Sequence, residues 1–156
     1  MRVEEIMTRD PVTCTSEDHA GTAAWRMWER DCGMLPVMRD SRLVGVVTDR
    51  DIAMALALRG RRAEELRVAE VQQGGGGVIV CRPRDSVIDA LGKMRQHRVR
   101  RLPVVEDGKL VGIVSINDLT LAAAASPGKA GHPIFKDIVQ SLQGICAHRA
   151  RGRAAA

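Results

Sequence analysis

An internal repeat with a spacing of 67 residues constrains this chain more than any other feature. The motif Gly45–Asp51 returns as Gly112–Asp118, and 112 − 45 = 67. Residues 13–52 lie over residues 80–119 without a gap, and thirteen of the paired positions carry the same amino acid. An ungapped repeat of this length indicates two copies of one supersecondary unit. At 156 residues the chain is about one domain long, so we expect two halves that share one core.

Both copies predict the same order of elements: strand, helix, strand, strand, helix. In the first copy Ser16 and Asp18 can cap a helix that follows them, because their side-chain oxygens accept free N–H groups of its first turn. The helix itself is predicted by apolar residues at helical spacing: Ala20, Ala23, Ala24, Met27 and Trp28. The predicted strands and second helix are 12–15, 35–38, 43–47 and 49–58 in the first copy and 78–81, 102–105, 110–114 and 116–125 in the second.

The remaining segments connect or extend the repeats. Short helical lead-in segments are predicted at 3–7 and 64–71, and four consecutive glycines, residues 74–77, indicate a flexible connection. The predicted division is repeat 1 at 1–60, a linker at 61–77, repeat 2 at 78–125, and a C-terminal helix with a basic tail at 126–156. That last helix has a wide apolar face, which either docks on the chain's own core or meets a partner subunit: Ile134, Phe135, Ile138, Val139, Leu142, Ile145 and Cys146.

Composition and spacing exclude several classes of protein. The acidic N-terminus is unlike a signal peptide, and no apolar run approaches the roughly 18 to 20 residues of a membrane span, so we expect a cytoplasmic protein. The four cysteines show no metal-ligand spacing to the four histidines, which favours reduced thiols and no metal site. No paired carboxylates, nucleophile with a partnered base, or phosphate loop is present. We therefore expect no enzyme activity and no catalytic cofactor.

The duplicated motifs resemble a known family. Leu-Pro-Val before the paired strands and Gly-x-x-Thr/Ser-x-x-Asp after them occur in both halves and are similar to the CBS (cystathionine beta-synthase) domain. Two such units in tandem resemble a Bateman module, as found in small stand-alone bacterial CBS-pair proteins. The resemblance implies an α/β fold in which two CBS repeats pack about a pseudo-twofold axis, with the C-terminal helix added. It also implies a non-catalytic regulatory module that binds an adenine nucleotide in clefts between the repeats.

The resemblance also implies which residues share each cleft, since the Asp of one repeat works with residues around Leu-Pro-Val of the other. A carboxylate at a helix start can accept ribose hydroxyls, and a hydroxyl, helix N–H groups and cations suit phosphate. The implied first cleft holds Thr48, Arg50 and Asp51 with Arg100, Arg101 and Pro103. The second holds Ser115, Asn117 and Asp118 with Gly33, Met34 and Pro36, which bring no positive charge. We expect the first cleft to bind phosphate better.

Several alternatives stay open. Thr48 with Asp51, and Ser115 with Asp118, also fit helix capping boxes without any ligand. The net charge of +5 and the cluster around residues 98–101 fit a basic scaffold or a nucleic-acid-binding protein, although few aromatics are available for base stacking. The sequence does not distinguish AMP, ADP, ATP and S-adenosylmethionine. We expect a homodimer and an unidentified regulated protein as partners, and no membrane.

Overall fold

The computed structural model describes residues 1–73, 77–125, 130, 133 and 135–147. It is a mixed α/β fold with two three-stranded sheets and helices packed on them. The first half contains a 3₁₀ turn at Val3–Glu5 and the elements β1 (Thr8–Arg9), β2 (Cys14–Thr15), α1 (Ala20–Glu29), β3 (Met34–Arg39), β4 (Arg42–Thr48) and α2 (Asp49–Arg59). The second contains α3 (Val68–Val71), α4 (Val87–His97), β5 (Arg101–Glu106), β6 (Lys109–Ser115), α5 (Ile116–Ala125) and α6 (Phe135–Cys146).

The paired strands show the duplication directly. In β3–β4, Met34 lies opposite Thr48, and in β5–β6, Arg101 lies opposite Ser115. The register shifts fall between Val37 and Met38 and between residues 104 and 105, again 67 positions apart. The structure thus confirms two copies of one α/β unit, as the repeat predicted. The strand predicted at 78–81 is reduced to one parallel bridge, between residues 81 and 104, because two backbone hydrogen bonds are all that join it to β5.

The lead-in segments are exchanged between the two halves. The Val3 N–H donates to the Asp85 carbonyl at 3.0 Å, and β1 pairs antiparallel with β6. Conversely, the Val68 N–H donates to the Asp18 carbonyl at 2.8 Å, and Gln73 bridges to Val46 on β4. The division predicted at residue 60 follows chain order, whereas residues 1–9 pack on the second repeat. The first lead-in is also shorter than predicted, a single 3₁₀ turn followed by β1.

The repeated glycine of each motif makes room for the crossing lead-in. A Cβ atom added at Gly45 would lie 2.8 Å from the Gln73 carbonyl oxygen, and one at Gly112 would lie 2.8 Å from Met7 Sδ and 2.9 Å from the Thr8 carbonyl oxygen. Real Cβ atoms do not approach other heavy atoms so closely. The glycines are therefore required by backbone packing.

Each repeat has its own apolar core, built from equivalent positions, so the expectation of one shared core is wrong. Leu35, Val37 and Val47 are fully buried in the first core. Their counterparts, 67 residues later, are fully buried in the second: Leu102, Val104 and Val114. The lead-ins contribute across the halves, since Val3 lies in the second core and Val68 in the first.

Helix α6 docks on the second repeat. Ile138 and Ser141 are buried there, Leu142 packs against the core, and α6 lies along α4. Phe135 and Val139 remain exposed. The C-terminal helix is thus confirmed and covers the chain's own core. Ile134, residues 74–76 of the glycine run, the loop at 126–129 and the basic tail at 148–156 lie outside the described residues.

Sequence patterns missed an ion pair that recurs in both halves. Arg26 Nη1 lies 2.6 Å from Asp18 Oδ2, and Lys93 Nζ lies 2.8 Å from Asp85 Oδ2. Partial burial alone would raise the pKa of Asp18, but hydrogen bonds from the Thr15 N–H and Arg26 outweigh it and hold that pKa below its ordinary value. Asp85 behaves alike: the hydrogen bond from Lys93 outweighs burial and lowers its pKa.

These ion pairs make the free energy of unfolding depend on pH in the acid range. A carboxylate whose folded-state pKa is depressed stabilises the fold fully above its ordinary pKa, and that stabilisation is lost as pH falls through the lower folded value. We expect Asp18→Asn to lower the free energy of unfolding by about 1–2 kcal/mol at pH 7, from the lost charge-assisted hydrogen bonds. The difference in free energy of unfolding between this variant and wild type should disappear as the pH falls below about 4. Urea unfolding at pH 7 and pH 3 measures it.

The control is Glu29→Gln, which removes an exposed carboxylate from α1, the helix that carries Arg26, and should leave the profile unchanged. If the difference in free energy of unfolding between Asp18→Asn and wild type is the same at both pH values, the stabilising role assigned to the Asp18 carboxylate is wrong.

Candidate functional site

A cavity of about 640 Å³ lies where the two repeats meet. Its walls come from the start of β3, the end of β4, the first turn of α2, the end of α4, the start of β5 and the end of α6. The end of β4 and the start of α2 bring polar groups from the first repeat, and the segment before Leu-Pro-Val brings basic groups from the second. The cavity therefore combines residues far apart in sequence.

The predicted first cleft lies on this cavity as one set. Of the candidate residues, those that line it are Thr48, Arg50, Asp51, Arg100, Arg101 and Pro103, together with Gly33 and Met34. Gly33 and Met34 were assigned by the resemblance to the second cleft, but the structure places them beside Arg101 and the first turn of α2. Pro36, Ser115, Asn117 and Asp118 are not among the residues that line it.

Gly33 explains this placement. A Cβ atom added there would lie 3.1 Å from Asp49 Oδ2 and 3.3 Å from Arg101 Nη2, so the two repeats come together at this point. Its counterpart in the second repeat is Arg100, since 33 + 67 = 100. The small residue in one repeat thus leaves room for the basic residues of the other, and the sequence difference between the copies makes the site asymmetric.

Asp51 is held by the start of its own helix. Its Oδ2 accepts from the Thr48 N–H at 3.0 Å and from Thr48 Oγ1 at 2.6 Å, and its own N–H donates to Thr48 Oγ1 at 3.1 Å. These contacts form the capping box that the sequence left open as an alternative. The other oxygen, Oδ1, accepts from Gln73 Nε2 at 2.6 Å. The cap orients the carboxylate and leaves Oδ1 for an exchangeable partner.

The second motif is capped in the same way. Asp118 Oδ2 accepts from the Ser115 N–H at 2.7 Å and from Ser115 Oγ at 2.6 Å. Capping therefore accounts for the Thr/Ser and Asp positions of both repeats. What differs is the neighbouring charge: Arg50 of the first motif corresponds to Asn117 of the second.

The cavity wall is strongly basic. Four arginines line it, Arg50, Arg98, Arg100 and Arg101, against Asp49 and Asp51. Guanidinium groups bind phosphate through paired hydrogen bonds, so this surplus favours an anionic ligand. The basic cluster at residues 98–101 thus lines a bounded cavity. This is the cluster on which the nucleic-acid interpretation depends, and a bounded cavity suits a small anion.

Sequence analysis missed Gln73, Arg98 and Ile145, which also line the cavity. Gln73 reaches it only because the second lead-in crosses onto β4. Arg98 is turned by a left-handed backbone conformation, φ 55°, at the end of α4. Ile145 arrives on α6, whose docking site no repeat pattern indicates. None of the three has a signal in the repeat alone, because each depends on a tertiary contact.

The comparisons with known proteins agree with this geometry. A family model described as CBS domain matches residues 3–58 and 76–125. The chain belongs to the CBS-domain family. CBS pairs are regulatory modules, and this chain carries one. Hypoxic response protein 1 of Mycobacterium tuberculosis is 34% identical over 137 residues, which cover 86% of this chain and 87% of that protein.

Two solved structures extend the likeness. A putative signal-transduction protein with CBS domains from Burkholderia ambifaria aligns with a TM-score of 0.75 and 31% identity, covering 83% of this chain and 98% of that one. The CBS domain pair of protein MJ0100, in complex with 5′-methylthioadenosine and S-adenosyl-L-methionine, aligns with a TM-score of 0.72 and 27% identity, covering 80% and 97%. MJ0100, which shares this fold, thus binds adenosine compounds.

The described part of the CBS pair lacks two further features. No helix there has the length and apolarity needed to span a bilayer. No three side chains among His, Cys, Asp and Glu come together in the same ranges as a metal site would require.

The cysteines at equivalent strand positions are packing residues. Burial raises the pKa of Cys14 to about 12 and that of Cys81 to about 11. Each thiol Sγ lies 3.8 Å from a proline carbonyl oxygen of the neighbouring strand. Cys146, at the end of α6, is exposed.

We expect a maleimide reagent at pH 8 to label Cys146 at least 100-fold faster than Cys14 or Cys81, because the buried thiols are both protonated and shielded. Peptide mass spectrometry over a time course measures the rates, and the urea-unfolded chain, in which all four cysteines react, is the control. Labelling of Cys14 or Cys81 as fast as that of Cys146 would contradict their assignment as packing residues.

Proposed function

We propose that this CBS pair is a non-catalytic regulatory module that binds an adenine nucleotide in the cavity beside Asp51. The observation that carries the proposal is the joining of Asp51 from one repeat and Arg100 and Arg101 from the other on one cavity wall. A nucleotide has the matching pair of groups, a diol and an anion. The second predicted cleft, with Pro36, Ser115, Asn117 and Asp118, is proposed as a separate and weaker site because it brings no positive charge.

The ribose would interact with Asp51. Its Oδ2 is committed to the helix cap, while Oδ1 is occupied by the amide of the exposed Gln73, which can move away. A ribose hydroxyl can donate to Oδ1 in place of the amide. The phosphate would then meet the guanidinium groups of Arg100 and Arg101 and the N–H groups at the start of α2.

The adenine would lie on aliphatic groups. None of the described residues that line the cavity is Phe, Trp or Tyr, and the apolar wall includes Met34, Ile79, Val99, Pro103 and Ile145. Such a wall supplies hydrophobic burial without aromatic stacking. We therefore expect affinity to depend strongly on the phosphate contacts.

The basic wall also favours some adenosine compounds over others. The sulfonium of S-adenosylmethionine brings a positive charge toward four arginines, whereas AMP, ADP and ATP bring negative charge. Although MJ0100 binds S-adenosyl-L-methionine and 5′-methylthioadenosine, we propose phosphorylated nucleotides for this chain.

A homodimer would cover an exposed face of α1. Trp25 and Trp28 are 63% and 81% exposed, and Trp28 corresponds to Arg95, which contacts α6 in the second repeat. The first repeat has no such covering helix within the described residues. We propose that a second copy of the chain covers the two indoles. The regulated protein and the cytoplasmic location expected from the sequence also remain proposals.

The nucleotide assignment is tested by a matched pair of variants. Asp51→Ala and Asp118→Ala each remove the carboxylate of one capping box, so both should lower stability by a similar amount, about 0.5–2 kcal/mol. Only Asp51→Ala should also weaken AMP or ATP binding, by tenfold or more, because it alone removes a group on the cavity wall. Calorimetry with AMP, ADP, ATP and S-adenosylmethionine measures affinity, and urea unfolding measures stability. Equal affinities for both variants, or greater loss with Asp118→Ala, would refute the assignment.

The dimer is tested by light scattering after gel filtration. We expect the wild-type chain to have twice the mass of one chain and Trp28→Ser to shift toward the monomer, since the change removes a large apolar contact. Leu121→Ser, which alters another exposed apolar residue on α5, is the control and should remain dimeric. A monomeric wild-type protein would contradict the proposal.

A further inference from the structure

Helix α6 contributes to the cavity although it lies outside the segments matched by the family model, which end at residue 125. Ile145 and Ala147, at its C-terminal end, line the cavity together with Asp51 and the arginines. Toward its other end, Ile138 and Ser141 are buried against the second core. The same helix is thus anchored on a core and borders the ligand site.

The contact between α6 and α4 is close. A Cβ atom added at Gly144 would collide with Arg95 Cγ, so the backbone of α6 lies directly on the Arg95 side chain. Arg95 belongs to the last turn of α4, which continues into His97 and Arg98 on the cavity wall. The end of α4 therefore has α6 packed against it and also borders the space that a ligand would fill.

These contacts make docking of α6 and occupancy of the cavity energetically dependent on each other. If α6 left α4, the ligand would lose contact with the apolar surface of Ile145. The basic turn at the end of α4 would also lose the helix that packs against it. Linkage is reciprocal: whatever α6 adds to ligand affinity, the ligand adds to the docking of α6. The aliphatic wall makes Ile145 important, since no Phe, Trp or Tyr among the described lining residues can replace its contact with a base.

We propose that α6 is the output element of this CBS pair: a nucleotide in the cavity holds α6 against α4, and an empty cavity releases it. The inference rests on the proposed nucleotide binding and adds the regulation of that site. It assigns Ile145 as a ligand-contact residue and Gly144 as a positioning residue.

The direct test is hydrogen exchange of the full chain, followed by mass spectrometry, with and without saturating AMP and, separately, ATP. We expect amides of residues 135–147 to exchange at least fivefold more slowly when nucleotide is bound, a larger change than in α1, which does not border the cavity. Binding is confirmed in parallel by calorimetry. If nucleotide binds while exchange in α6 does not change, this inference is wrong and the proposed function stands. If neither nucleotide binds, both the proposed function and this inference are wrong.

Two variants separate docking from general helix stability. Ala has the higher helix propensity, so Gly144→Ala should slow exchange if α6 behaved as an independent helix. Because the new Cβ meets Arg95, we expect faster exchange in α6 and about fivefold weaker nucleotide binding instead. Ile145→Ala should weaken binding to a similar degree. Val139→Ala, at an exposed position on the same helix, is the matched control and should change affinity less than twofold. Slower α6 exchange in Gly144→Ala, or unchanged affinity in both Gly144→Ala and Ile145→Ala, would overturn the proposal.

Discussion

The crossing of the two lead-in segments is the constraint on which the rest of this structure depends. Each lead-in completes the edge of the opposite sheet, β1 beside β6 and Gln73 beside β4, and places a valine in the opposite core. The crossing joins the halves so that the end of the motif strand β4 and the start of β5 border one cavity. It also brings Gln73 to the carboxylate of Asp51.

The asymmetry of the site comes from substitutions between otherwise equivalent positions. Where the first repeat has Gly33 and Met34, the second has Arg100 and Arg101, and where the first has Arg50 the second has Asn117. The shared scaffold therefore carries two different charge patterns. The basic residues collect around the Asp51 cavity, while the helix caps, which serve folding, are the same in both copies.

The sequence was sufficient for the two repeats and for most of their elements, because the repeat, most of the apolar spacing and the caps of α2 and α5 are local patterns. It was wrong about details of α1: Ser16 and Asp18 do not cap that helix, and Ala24 and Trp28 of its predicted apolar face are exposed. The grouping of Asp51 with Arg100 and Arg101 was predicted through the family resemblance, whereas the registers of β3–β4 and β5–β6 were not predicted. Gln73 and Ile145 could not be predicted, because each reaches the cavity through packing between distant segments. Gly33 was assigned to a different cleft for the same reason: its position depends on how closely the halves approach.

The glycines beneath the crossing lead-ins couple the stability of one half to that of the other. Gly45 and Gly112 tolerate no side chain, because backbone of the opposite lead-in lies over them. A substitution that displaces a lead-in therefore destabilises both halves. Neither half is a complete folding unit. A chain severed after residue 60 would yield two fragments, each carrying the lead-in that packs on the other, and they would regain native structure only by reassociating.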